Sequence, residues 1–207
     1  MDINIIHALE KRLAQDLPGF QAQTKMAPVG NERYLDISSD HKVACVLALL
    51  FPKNDQWHLS LIERASIHPD DKHAGQISFP GGRIEQTDQN PIKAALREAQ
   101  EEIGLAAESV TVLGYLEPML TITGFRVYPI VAIINANYQA QADGVEVTEI
   151  FEAPLQLFLD QANEQNFEII FQGKARHLKE FHWQHFRIWG ATATMLINLR
   201  HKLELQT

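Results

Sequence analysis

Three carboxylates, Glu98, Glu101 and Glu102, follow one another at i, i+3 and i+4 in the stretch Arg97-Glu98-Ala99-Gln100-Glu101-Glu102. On a helix this spacing sets side chains about 5 to 6 Å apart. Two like charges about 6 Å apart repel by roughly 3 kcal/mol at an effective dielectric near 20, so three ionised acids are a poor choice for stability alone. An acidic triplet by itself is more often a solvated helix face, but the neighbours here change the weighing. Arg97 can orient a carboxylate through its fork of donors. Pro80-Gly81-Gly82 forms a tight turn whose backbone can approach a metal or a phosphate closely. A divalent cation would turn the repulsion into attraction. Hard oxygen ligands suit Mg²⁺ or Mn²⁺, whose affinity for phosphate oxygens points to phosphate chemistry. Glu98, Glu101 and Glu102, with the backbone of Gly81, are the candidate metal ligands.

A helix must carry these acids. Asn90 suits an N-cap, Pro91 the first helical position and Gly104 a left-handed terminus, which predicts a helix over about 91–103. At about 100° per residue, Ile92, Ala95, Leu96, Ala99 and Ile103 share a packing face, and the three glutamates lie about a third of a turn away. Elsewhere, Ile5, Ile6, Leu9 and Leu13 recur at helical spacing and predict an N-terminal helix over Ile3 to Leu13. The stretch 18–40 is punctuated by Pro, Gly and Asn and reads as a connector. Val43 to Phe51 and Trp57 to Arg64 are strand-like runs around the turn-rich Pro52-Lys53-Asn54-Asp55, hence a hairpin. A short run, Gly75 to Phe79, leads into the glycine turn. Further strands are expected at 110–116, 126–135, 145–151, 167–171 and 181–188, with a last helix over about 191–203. Strands and helices mix without a regular repeat. The pattern favours an α/β sandwich with a mixed sheet, arranged as residues 1–39, helix and connector, and a domain over 40–204.

Composition narrows the partners. The 207 residues suit one domain. Eighteen basic against 26 acidic side chains leave a formal charge of -8, which argues against a broad nucleic-acid footprint. A small anion can still be met by local cations or metal ions. The N-terminus lacks a basic segment followed by a long apolar one, and no apolar run reaches the length of a membrane span, so no membrane association and a cytoplasmic location are expected. Cys45 is the only cysteine and sits inside a buried-strand pattern, where it reads as a small core residue.

The residues match a known pattern. Gly82, then Arg97-Glu98-Ala99-Gln100-Glu101-Glu102-Ile103-Gly104-Leu105, resembles the Nudix box, the motif of hydrolases of nucleoside diphosphates linked to other groups. Asp88 stands where the general pattern has Glu, and eight residues rather than seven separate it from Arg97. Ala99 holds a position usually given to a larger aliphatic residue. These departures are similar to the coenzyme A pyrophosphatase branch. So are Arg64, Ser66, Ile67 and His68, the run Lys72 to Gly82, Gly124 to Val127, Glu146 to Phe151 and Ile188 to Ala193. That branch's second upstream arginine has no clear counterpart among Pro69-Asp70-Asp71.

The resemblance implies a Nudix-type α/β/α sandwich that hydrolyses the pyrophosphate of coenzyme A or its derivatives to 4′-phosphopantetheine and adenosine 3′,5′-bisphosphate. Mg²⁺ or Mn²⁺ held by Glu98, Glu101 and Glu102 would neutralise the pyrophosphate and lower the pKa of an attacking water. Arg97 would fix the carboxylates, so Glu98, Arg97 and Glu101 are the expected catalytic residues. Arg64, Lys72 and His73 are the expected substrate contacts, and either Glu146 or Glu149 joins the site. The rival readings are the same chemistry on ADP-ribose or NADH, and a non-catalytic binding module of the same fold, against which the intact Arg97, Glu98, Glu101 and Glu102 argue. His182 and His185 form an HxxH pair, but in a strand this spacing puts the side chains on opposite faces, so a zinc site is discarded. Trp189 reads as a packing residue before the last helix rather than a stacking platform.

Overall fold

The computed structural model describes residues 3–13, 42–66, 74–134, 139–171 and 173–204. The expected connector over 18–40 lies outside them, as do Ile67 to His73. The elements, in order, are α1 (Ile3–Leu13), β1 (Lys42–Lys53), β2 (Gln56–Arg64), β3 (Ile77–Ser78), β4 (Gly81–Arg83) and α2 (Pro91–Ile103). Then come β5 (Val110–Tyr115), β6 (Met119–Leu120), β7 (Phe125–Ile134), β8 (Val147–Pro154), α3 (Leu155–Leu159), β9 (Gln165–Phe171), β10 (Lys174–Trp183), β11 (Phe186–Trp189) and α4 (Gly190–Glu204).

Strand β1 is the axis of the main sheet. It runs parallel to β7, from Lys42 opposite Phe125 to Leu50 opposite Ile133, and antiparallel to β2 and β4, which makes the sheet mixed. Its side chains alternate between two cores. Val46, Ala48 and Leu50 join a cluster with Leu196 and Leu199 of α4, while Cys45, Leu47 and Leu49 join one with Ala95, Ala99 and Ile103 of α2. Both faces are covered, as the uninterrupted apolar run of β1 requires. The result is an α/β/α sandwich. Helix α1 belongs to the α4-side core, where Ile6, Leu9 and Leu13 are buried.

The β1–β2 hairpin turns on Asn54 and Asp55, both with positive φ (50° and 59°), the geometry of a tight two-residue hairpin. Away from this turn the two strands diverge. The first half of β1 pairs with β4 and the last residues of β2 pair with β3, so the segment from Ile77 to Arg83 fills the fork between them. Leu47 N–H donates to the Pro80 carbonyl (2.8 Å) inside this fork. A splayed hairpin thus fixes the glycine turn in place.

One expectation is corrected here. Residues 181–188 are not a single strand: β10 ends at Trp183, the chain turns at Gln184 and His185, and β11 pairs back with Trp183 opposite Phe186. The alternation of Phe181, Trp183, Phe186 and Ile188 is carried across a two-residue turn, which keeps the apolar side chains on one face while reversing the chain. With β9 these strands form a second, antiparallel sheet. The Thr192 hydroxyl at the start of α4 donates to the Ile77 carbonyl (2.8 Å) and ties the last helix to β3.

Candidate active site

Helix α2 brings the acids to the glycine turn. The Asn90 side chain accepts from Lys93 N–H (3.0 Å), and Gly104 adopts the left-handed conformation (φ 68°), so the helix is capped at both ends where the sequence placed its caps. Ala94, Ala95, Leu96, Ala99 and Ile103 are buried against the sheet. Small residues at 94, 95 and 99 let the helix approach closely, which presses the adjoining acids against the turn.

Glu102 is only 2% exposed. One carboxylate oxygen accepts the Gly81 N–H (2.7 Å) and the other lies 3.3 Å from Arg64 Nη1. Burial pushes its pKa up to about 7, an effect that the Gly81 N–H and Arg64 oppose and the charges of Glu98 and Glu146 reinforce. Glu98 packs under Gly82 so tightly that a Cβ on that glycine would stand 2.5 Å from its carboxyl atoms. Burial raises the Glu98 pKa as well, in spite of the Arg97 guanidinium 3.0 Å away. Two adjoining carboxylates that burial pushes toward protonation form a site that a hard cation would stabilise, and the all-oxygen donor set fits Mg²⁺ or Mn²⁺.

Two arginines organise the acids. Arg97 donates to both oxygens of Asp88 (3.1 and 3.0 Å), to the Arg83 carbonyl (3.1 Å) and to Glu101 (3.1 Å), and touches Glu98. The bond from Arg97 holds the Asp88 carboxyl below its ordinary value. Asp88 also accepts the Glu85 N–H (2.8 Å), closing the loop between β4 and α2. Arg64 bridges Glu102 and, at 4.0 Å, Glu146. Glu101 is drawn outward to Arg97 and is 60% exposed, so the three glutamates expected to converge are divided between the two arginines. Among the described residues, no three acidic, imidazole or thiol groups gather into a metal-holding cluster. Arg64, expected at the substrate, stands in the carboxylate cluster; Lys72 and His73 lie outside the described residues.

Of the two later glutamates, Glu146 is the one beside the acid cluster, 4.0 Å from Arg64, whereas Glu149 lies 3.7 Å from His185. The loop carrying Glu146 is tied to α2. Asp143 N–H donates to the Glu102 carbonyl (3.1 Å), and the Asp143 carboxylate accepts the N–H groups of Val145, Glu146 and Val147 (3.1 Å each). The sequence reading missed Asp143; its signal was the Asp143-Gly144 turn dipeptide. His182 pairs with Glu180 (2.9 Å), and Trp189 meets Phe167 edge-on at 5.9 Å under Arg187.

Buried Glu102 bonded to a glycine turn, with half-buried Glu98 packed beneath it in an α/β/α sandwich, is the arrangement that the resemblance to phosphate-processing hydrolases implied. The NUDIX domain pattern matches residues 41–172. The chain is 40% identical over 154 residues to proteins of Salmonella newport and Salmonella dublin, each described as an uncharacterized Nudix hydrolase NudL, with 73% of this chain and 79% of each relative covered. A MutT/nudix family protein from Enterococcus faecalis has a similar fold, with a TM-score of 0.50 at 14% identity over 92% of this chain and 71% of its own. The chain belongs to the Nudix family. It is a pyrophosphohydrolase, of a family that acts on nucleoside diphosphate derivatives and generally uses divalent metals such as Mg²⁺ or Mn²⁺. No helix among the described residues is long and apolar enough to cross a membrane.

Proposed function

We propose that the protein hydrolyses the pyrophosphate of coenzyme A or its derivatives, adding water across the P–O–P bridge to give 4′-phosphopantetheine and adenosine 3′,5′-bisphosphate. The observation that carries the hydrolytic site is the clasp of buried Glu102 by Gly81 N–H and Arg64, with Glu98 packed under Gly82 beside it. The substrate rests on the segments Lys72 to Gly82, Gly124 to Val127 and Ile188 to Ala193, which resemble the coenzyme A pyrophosphatase branch.

Glu98, Glu102 and Glu101, with the backbone of Gly81, are the groups that would hold Mg²⁺ or Mn²⁺. The metal, when bound, supplies charge neutralisation of the pyrophosphate and activation of water. Arg97 holds Glu98 and Glu101 in position and is itself fixed by Asp88. Glu146, 4.0 Å from Arg64, would take the proton from the attacking water. Arg64, Lys72 and His73 supply positive charge to the substrate. The enzyme works in the cytoplasm on a small nucleotide rather than on nucleic acid.

A panel of coenzyme A, dephospho-coenzyme A, ADP-ribose and NADH, each with Mg²⁺ or Mn²⁺ and with excess chelator, tests this reading. The expected result is the highest kcat/KM on coenzyme A and loss of turnover with chelator. Faster cleavage of ADP-ribose or NADH would transfer the protein to those substrates, and undiminished turnover in chelator would overturn the metal assignment.

A further inference from the structure

Arg64, Arg97, Arg187 and Arg200 each lie against a carboxylate. Lys42 and Arg83 have no carboxylate partner among the described residues, although the chain carries a formal charge of -8. Both stand over the same ring. The Lys42 ammonium is 5.9 Å and the Arg83 guanidinium 5.1 Å from the centre of Phe125. The strand register produces this meeting, because Lys42 opens β1 directly opposite Phe125 at the start of β7, and Arg83 closes β4 opposite Ala44.

An aromatic face attracts a cation through its quadrupole without cancelling its charge. Phe125 therefore faces two like charges without cancelling either, where a carboxylate would have neutralised them. The ring itself is fixed: it packs against the α4-side core, and its backbone N–H donates to the Thr121 hydroxyl (3.0 Å). The Arg83 backbone is also tied to the acid-bearing helix. Arg83 follows Gly82 directly, and its carbonyl accepts from Arg97 (3.1 Å). Successive strand residues point to opposite faces, so the Arg83 side chain leaves β4 on the face away from Glu98.

We propose that Lys42 and Arg83, pre-set by Phe125, form a subsite for a phosphomonoester that the substrate carries outside its scissile pyrophosphate, namely the 3′-phosphate of an adenosine 3′,5′-bisphosphate group. The identity of that phosphate rests on the coenzyme A reading. Lys42 and Arg83 form an exposed pair that no carboxylate meets among the described residues, and such a pair can meet a dianion through charge-assisted contacts.

Direct titration separates this inference from the reading it rests on, because it needs no turnover. Adenosine 3′,5′-bisphosphate and adenosine 5′-monophosphate are titrated calorimetrically into the wild-type protein, Lys42→Ala and Arg83→Ala, with thermal melting to confirm folding. The bisphosphate should bind the wild type more tightly than the monophosphate. Each variant should weaken the bisphosphate about tenfold or more, the scale of one charge-assisted contact, and leave the monophosphate nearly unchanged. In turnover, Lys42→Ala should bring the kcat/KM on coenzyme A down toward that on dephospho-coenzyme A. Equal weakening of both nucleotides, no weakening of either, or no binding of the bisphosphate to wild type would overturn the subsite. A wild-type preference for ADP-ribose over coenzyme A would instead overturn the substrate reading, whatever the titrations gave.

Discussion

Gly81 and Gly82 are adjacent, yet a methyl group on each meets a different obstacle. At Gly82 the added Cβ meets the end of the Glu98 side chain, which can swing aside, so Gly82→Ala should fold with a nearly unchanged melting temperature but displace Glu98. Its kcat should fall by roughly 10² or more, the scale of losing one aligned charge-stabilising group; wild-type kcat would remove Glu98 from the site. At Gly81 the Cβ would lie 2.2 Å from the Cys45 carbonyl and 2.6 Å from the Val46 Cα, at a φ of 149°. Backbone cannot swing aside. Gly81→Ala should lose about 1–3 kcal/mol of stability or more, read by denaturant unfolding. Glu102→Gln keeps an oxygen for the Gly81 N–H and so should melt like the wild type. It lacks the charge that a metal requires, and turnover should nearly vanish; full activity would sink the assignment of Glu102.

At the scale of elements, α2 is the piece that delivers the acids, and its N-terminus depends on one side chain. Replacing Asn90 by Ala removes the acceptor for Lys93 N–H and should cost about 1 kcal/mol. In a chain of this length that corresponds to a melting point lower by about 2–4 °C. The interior of the helix stays pinned by Ala94, Ala95 and Ala99 against the sheet, so kcat should be retained. A large fall in kcat at unchanged melting temperature would show that the cap acts on the site rather than on the helix.

Across the whole molecule, the second sheet is held to the last helix by buried charge. Glu164, ahead of β9, receives Lys179 of β10 (2.6 Å) and Arg200 of α4, which is 3% exposed. Burial alone would raise the Glu164 pKa; the hydrogen bonds and charges of Lys179 and Arg200 outweigh it and hold the carboxyl below its ordinary value of 4.5. In the unfolded chain this group takes up its proton first. Its contribution is therefore fully present above pH 4.5 and is lost as pH falls through the lowered folded value. Melting temperature measured from neutral pH down through this window should drop along an acid limb, and Glu164→Gln, less stable at neutral pH, should flatten it. An identical acid limb in the variant would show that other carboxylates control it.

The sequence by itself determined the elements whose signals are local. The helix that carries the acids was legible to the residue, because Asn90, Pro91 and Gly104 act on the backbone beside them. The β1–β2 hairpin and the acids on α2 were legible for the same reason. The tertiary structure alone decided which acids share a partner. Helical spacing placed Glu98, Glu101 and Glu102 together, but Glu102 is buried beneath a turn from the fork between β1 and β2, while Arg97 draws Glu101 outward. Strand register set Arg64, expected at the substrate, beside Glu102, and only the docking of the Asp143 loop on α2 separated Glu146 from Glu149. The alternating run through His182 and His185 hid a reversal, since hydrophobic alternation records which face is buried and not the direction of the chain. Lys42, Arg83 and Phe125 are far apart in sequence and meet only through the pairing of β4, β1 and β7. Caps and spacings act over a few bonds, whereas partners across a sheet depend on register, which no local signal encodes.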